Sequence, residues 1–562
     1  MHLALATALV VLAVLASRLV QLQGLDATAY AAQAEKQRLR TVTLAAPRGE
    51  ILDRNGNRLA GTVAASALFA DPQLIVDPAT TAVRVASLLG LDPAAVEEKL
   101  RRPGRFVYLA RQLDPDQVQR VISMGLPGIG GLPETKRIHP GQDLAANVIG
   151  FTGQDGTGLA GLEASLQNVL GGKDGRETME VDHEGRQIPS GVHSGTAPVP
   201  GRPVQLTLDR DIQWQAQQTL AGQVAASGAS SGTAIVMDPR TGEVLALASA
   251  PSFDADQPSA APDAVRGNPA ISEVYEPGSV NKVITAAAAL EAGVVTPDSA
   301  VTVPPTLAAY DQVFHDAEEH GVEHLTFTGV LAKSSNIGTI LIAQQLGKAR
   351  LYDALRAFGF GQQSGAGMPG ESAGILPPPD KWSGTQALTI AFGQGISVNA
   401  LQMASVYATV ANDGVRVAPR VVRGTLDANG QLVPAPAAPR TTVTSPKTAQ
   451  ELRTMLEAVT SDQGTAPEAR IDGFRVAGKT GTSQRFDPTC GCYRGYTASF
   501  VGMAPADNPQ LVVAVILQDP QNGHYGGTLA APVFHDVMSF ALQARQIAPS
   551  GTVAPTAKLT TD

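Results

Sequence analysis

The sequence predicts a multidomain α+β protein on three observations. These are an apolar run at the N-terminus, a Pro/Gly-rich break at residues 195–203, and two groups of strands flanking a helical middle in the second half. At 562 residues the chain is too long for one ordinary domain, and its 43% apolar content is enough for at least two cores.

Leu3 to Ala16 is continuously apolar apart from Thr7, and Leu19, Val20 and Leu22 extend it to the length a bilayer requires. Residues 1–23 therefore read as a transmembrane anchor. A cleaved signal peptide is the competing reading, with small residues at Val14-Leu15-Ala16 or Ala27-Thr28-Ala29, but no basic segment precedes the apolar run. Either reading exports the rest of the chain.

A linker, 24–46, includes a polar helical stretch around Ala27 to Arg40; β-rich sequence then meets a turn at Asp53-Arg54-Asn55-Gly56. Residues 47–197 read as an α+β domain, with a strand at Leu68-Phe69-Ala70 and helices near Ala82 to Leu89 and Asp114 to Ser123. Pro198, Pro200, Gly201 and Pro203 make the following stretch a hinge.

The second domain, 204–547, opens with a strand at Val204 to Leu208 and a helix at Asp211 to Ala221. A hairpin follows, Thr233 to Met237 and Val244 to Ser249 around Asp238-Pro239-Arg240-Thr241-Gly242. Phe474 to Thr482, Thr497 to Met503 and Leu511 to Leu517 complete an antiparallel sheet sandwiched by helices. The polar tail 548–562 lacks periodicity and is expected to be disordered.

The net charge of -9 argues against a nucleic-acid partner, which requires a concentrated basic face. Cys490 and Cys492 are the two cysteines, too few for a disulfide framework or a thiol zinc site; they either bridge each other or stay reduced.

Chemistry concentrates in three places. At Tyr275-Glu276-Pro277-Gly278-Ser279 a Pro-Gly turn delivers Ser279 to the start of an alanine-rich helix, with Lys282 three residues on and on the same side. A serine hydroxyl needs its proton removed before it attacks, and a buried lysine near a second cation, for which Lys479 is the candidate, is driven toward neutrality and can take it. The helix N-terminus favours both a neutral amine and an oxyanion. In Ser334-Ser335-Asn336, between two helical stretches, Ser334 can relay a proton and the Asn336 amide can bind a substrate carbonyl. The Ser-x-Asn pattern recurs at Ser397-Val398-Asn399, more simply a helix N-cap. Finally, Lys479-Thr480-Gly481-Thr482 ends a strand; its glycine admits a substrate backbone as an added β-partner, and its lysine and threonines can hold a carboxylate. Each is weak alone, but this order, with separations of 55 and 145 residues, is a strong conjunction.

Together the three resemble the signature of penicillin-binding proteins and class A β-lactamases. Pro47-Arg48-Gly49-Glu50-Ile51-Leu52-Asp53-Arg54 and Gly158-Leu159-Ala160-Gly161-Leu162-Glu163 are similar to the N-terminal pedestal, or dimerisation-type domain, of class B penicillin-binding proteins. Gly526-Gly527 and Ala530-Ala531-Pro532-Val533-Phe534 are similar to their transpeptidase domain. The Cys490-Gly491-Cys492-Tyr493 loop and the alanine-rich composition resemble division-type enzymes of actinobacteria.

The resemblance implies a peptidoglycan D,D-transpeptidase of septal wall synthesis, inhibited by β-lactams, its catalytic domain outside the membrane. Ser279 would attack a stem peptide, Lys282 would be its base, Ser334 with Lys479 would serve the leaving group, and the N–H groups of Ser279 and Thr482 would form the oxyanion hole. A SEDS-type membrane glycosyltransferase and division proteins are the implied partners; no cofactor or metal is expected. Asn281 departs from the bulky apolar residue many relatives carry there.

Other readings compete. His320-Gly321-Val322-Glu323-His324 matches an inverse zinc-peptidase pattern, but Gly321 and the following Leu325-Thr326-Phe327 do not continue a helix. A class A β-lactamase needs a deacylating glutamate, and no Glu-x-x-Leu-Asn lies between Asn336 and Lys479. An elongation-type transpeptidase and a scaffold that activates a glycosyltransferase with dispensable catalysis are the remaining alternatives.

Overall fold

The computed structural model describes residues 2–26, 28, 30, 38–180, 188, 190–487 and 489–561. Among them one helix, His2–Gly24, is long and apolar enough to cross a membrane. Most of the helical stretch expected at Ala27 to Arg40 lies outside the described residues. The expected linker ends in a strand, Leu39–Leu44, paired antiparallel with Gly175–Glu180, which in turn pairs with His193–Thr196.

The chain divides into two compact units, but not at one point. Residues 1–49, 62–137 and 171–201 form the first, whereas 50–61 and 138–170 group with 202–562. Within the second unit Ile51–Leu52 runs parallel to Val204–Leu206, and the His139 N–H donates to the Asp256 carboxylate.

In the first unit, helices Pro78–Leu89, Pro93–Leu100 and Pro115–Ile122 each begin with an Asp-Pro pair. Asp77, Asp92 and Asp114 accept from N–H groups of the first turn, and proline occupies the first position, where no N–H is needed. The first helix therefore starts four residues before Ala82. Val85, Ala86, Val96, Leu100, Val118 and Val121 close a small core over Leu68 and Ala70. Within this unit Lys173 and Val199 exchange backbone hydrogen bonds, and the Gly201 N–H donates to the Pro47 carbonyl.

The second unit holds helix α1 (Arg210–Ser227), strands β1 (Ser231–Met237) and β2 (Val244–Ala250), and helices α2 (Lys282–Glu291), α3 (Phe327–Ala332), α4 (Asn336–Leu346) and α5 (Ala400–Ala411). Strands β3 (Ala477–Asp487), β4 (Cys492–Ala504) and β5 (Leu511–Gln518) and helix α6 (Gly526–Ala544) follow. The sheet order is β2-β1-β5-β4-β3, antiparallel throughout. Every residue of β2 and β5 is buried, as a sheet covered on both faces requires. Helices α1 and α6 pack together on it, and α5, buried along its whole length, also packs on it. Asn399 caps α5 in a capping box with Gln402, as the sequence suggested.

The tail is not disordered. Leu559 is 8% exposed and clusters with Ala332, Ala458 and Ala557. An apolar residue in an otherwise polar, aperiodic tail gives no signal of docking, because the residues it covers, Ala332 and Ala458, lie more than 100 residues earlier.

Candidate active site

Ser279 sits in a single 3-10 turn, Gly278–Asn281, that runs into α2 and leaves the serine partly exposed. Gly278 has φ 58°, a conformation that costs other residues heavily, and its N–H donates to Gly393. Asn281 is buried and donates through Nδ2 to the Ile390 carbonyl at 2.9 Å, so the departure from an apolar residue is accommodated by a hydrogen bond to the loop behind. The Tyr407 hydroxyl donates to the Val280 carbonyl at 3.0 Å, fixing the turn from α5.

Lys282, one turn on, is fully buried. Its Nζ donates to the Ser334 carbonyl at 2.5 Å and to Asn336 Oδ1 at 2.8 Å, with Ser334 Oγ at 3.4 Å. Ser334 ends the turn after α3 with φ 59°, a left-handed conformation that costs a non-glycine residue roughly 1–3 kcal/mol and persists only when its surroundings impose it. Ser335 caps α4, accepting from the Gly338 N–H. Its hydroxyl donates to Asp316 Oδ2 at 2.6 Å, and the Ile337 N–H donates to Oδ1 at 2.9 Å. Burial pulls the Lys282 ammonium down to about 7, while Asp316 opposes that fall.

Lys479 on β3 is equally buried, and burial followed by the charge of Lys282 lowers its ammonium well below the ordinary range. The sequence cast Lys479 as the cation that discharges Lys282; burial dominates at both amines, and the repulsion acts most visibly on Lys479. Nζ of Lys479 donates to the Thr480 carbonyl and hydroxyl at 3.3 Å, and Thr480 and Thr465 share a 2.8 Å hydroxyl bond.

Gly481 lies where β3 meets the nucleophile turn. A Cβ there would press on Ser499, Val280 and the Pro277 carbonyl, so the glycine lets β3 lie against the nucleophile turn. The same approach is secured by Ser483, whose hydroxyl donates to the Glu276 carbonyl at 2.7 Å. Thr482 Oγ1 accepts from the Gly526 N–H at 3.2 Å.

The structure thus brings together the sequence-predicted Ser279, Lys282, Ser334, Asn336, Lys479, Thr480, Gly481 and Thr482. Sequence reasoning missed Asp316 and Glu276. Glu276 Oε1 accepts from the Gly395 N–H and the Tyr493 hydroxyl, and burial raises its carboxyl. Asp316 lies just before His320-Gly321-Val322-Glu323-His324, the zinc-peptidase match that the sequence argued against. Glu323 and His324 lie on the strand Glu323–Thr326, off any shared helix, and His320 Nε2 contacts Asp316 instead. Cys490 and Cys492 are bridged.

A helix-sandwiched antiparallel sheet on which Ser-x-x-Lys, Ser-x-Asn and Lys-Thr-Gly converge defines a penicillin-interacting serine acyl-transferase. Residues 232–539 match the penicillin-binding protein transpeptidase domain, and residues 43–206 match the penicillin-binding protein dimerisation domain. The chain is 42% identical to penicillin-binding protein PbpB of Mycobacterium tuberculosis, over 98% of this chain and 85% of that one. It is 33% identical to peptidoglycan D,D-transpeptidase FtsI of Escherichia coli, over 96% and 91%. It also resembles the crystal structure of M. tuberculosis penicillin-binding protein 3 complexed with ampicillin, at TM-score 0.74 and 37% identity, over 93% of this chain and 100% of that one. The chain belongs to the class B, division-type penicillin-binding proteins.

Proposed function

We propose that the protein is a peptidoglycan D,D-transpeptidase of septal wall synthesis that works through an acyl-enzyme on Ser279. The observation that carries this reading is the buried Lys282 amine, held by Ser334 and Asn336 one helical turn from a partly exposed serine.

With its ammonium lowered to about 7, Lys282 is largely neutral at slightly alkaline pH and accepts the Ser279 proton as Oγ attacks the D-Ala-D-Ala carbonyl. The N–H groups of Ser279 and Thr482 hold the oxyanion. The peptide bond breaks, the departing D-alanine amine takes a proton relayed through Ser334, and a serine ester remains. An amine of a neighbouring stem peptide then attacks the ester, forms the new peptide bond and returns Ser279 its proton. Lys479, Thr480 and Thr482 bind the terminal carboxylate. That anion raises the Lys479 ammonium, and the resulting cation further favours a neutral Lys282.

A β-lactam acylates the same serine; complexes of the M. tuberculosis relative with aztreonam and ampicillin support this. The apolar helix His2–Gly24 supports membrane attachment, with the catalytic unit on the outer side. A SEDS-type glycosyltransferase and division proteins complete the proposed setting.

Intact-mass spectrometry with benzylpenicillin, on wild type and Ser279→Ala, tests the assignment. One stable adduct at Ser279, lost in the variant, is expected; rapid turnover without an adduct would instead indicate a β-lactamase.

A further inference from the structure

The residues that hold Lys282 depend on a strained turn, and a segment far away in sequence holds the helix that leads into it. The tail crosses the start of α3: the Thr326 N–H donates to the Leu559 carbonyl at 3.0 Å, and the Thr326 hydroxyl donates to Lys558 at 2.6 Å. Thr560 bridges Leu325, and the Thr561 N–H donates to His324 at 3.0 Å. Leu559 packs on Ala332, two residues before Ser334. Independently, Gly329 lies inside α3, where glycine weakens a helix, and a Cβ there would strike the Leu559 carbonyl. The glycine is explained by the tail and not by the helix.

We propose that residues 557–561 form a strap, with Leu559 as positioning residue, that fixes α3 and so imposes the left-handed turn at Ser334 on which Lys282 is held. The proposal rests on the acyl-transferase reading. Asp316 braces the same turn from Ser335 and Ile337, so the turn is gripped from two directions. Slackening one grip lets the Ser334 carbonyl drift from the amine, misplacing the base without dismantling the sheet.

The test is the rate and final stoichiometry of benzylpenicillin acylation for the full-length chain in detergent. It is compared with a form lacking residues 553–562, with Leu559→Asp, with Gly329→Ala and with Leu559→Met. The first three should acylate about tenfold more slowly yet still reach one adduct per chain. Leu559→Met should keep the wild-type rate, and a synthetic peptide of residues 553–562 should restore the truncated form. A general folding defect would instead lower the final stoichiometry while the folded fraction kept the full rate, and that result overturns the strap. So does full-rate acylation by the folded truncated chain. Should truncation abolish folding, Leu559→Asp and Gly329→Ala decide by the same criteria. A full-length wild-type chain that takes no adduct overturns the acyl-transferase reading, and the strap with it.

Discussion

In the first unit Asp77, Asp92 and Asp114 each bond a backbone N–H two or three residues further on, within the helix they start. In the catalytic unit Asp316 reaches Ser335 and Ile337, 19 and 21 residues away, and its field acts on Lys282 as well. The same side chain serves a local end and a remote one. A local cap affects the stability of one helix; a remote carboxylate couples a loop, a helix start and a buried amine, so its loss is felt in the chemistry.

The largest effect expected is from Lys282→Met. Removing the base should slow benzylpenicillin acylation by about 10²–10⁴-fold. In wild type the rate should rise with pH through about 7 and level off above it, because only the neutral amine accepts the serine proton. A flat profile across that range would remove Lys282 from the role of base.

Next in size is Asp316→Asn, with a loss of about tenfold. The half-maximal pH should move downward, since the carboxylate holds the Lys282 ammonium up and its neutral replacement does not. An unchanged midpoint would confine Asp316 to hydrogen bonding.

Asp92→Ala sharpens the contrast from the other side. It should cost about 1 kcal/mol in chemical denaturation and leave the acylation rate unchanged; a slowing comparable to that of Asp316→Asn would break the distinction between local and remote aspartates. Smallest is Glu98→Ala, which removes an exposed i,i+4 pair with Arg102 and should shift stability by about 0.3–0.5 kcal/mol.

Much of the site was legible because its parts are short and local. Ser279 and Lys282 lie one helical turn apart, Ser334 and Asn336 flank a helix start, and Lys479 to Thr482 share one strand. Asp316 was not legible: it belongs to none of the three short motifs, and only the fold shows that it bonds Ser335 and Ile337. The packing role of Gly481 was not legible for a related reason. In sequence the glycine marks space for a substrate; only the fold shows that it also lets β3 lie close to Ser499 and the nucleophile turn.

The sequence by itself determined the fold class, the apolar N-terminal helix, most of the strands and the three catalytic segments, because hydrophobic period, turn chemistry and residue spacing act over a few residues. Only the tertiary structure decided how the units divide, what holds the Ser334 turn, and where the tail goes. Leu325 pairs with Thr560, Ile51 with Val204, and Asp316 with Ser335. Such contacts are chosen by the burial and hydrogen bonding of the whole assembled core, and local spacing carries no record of them.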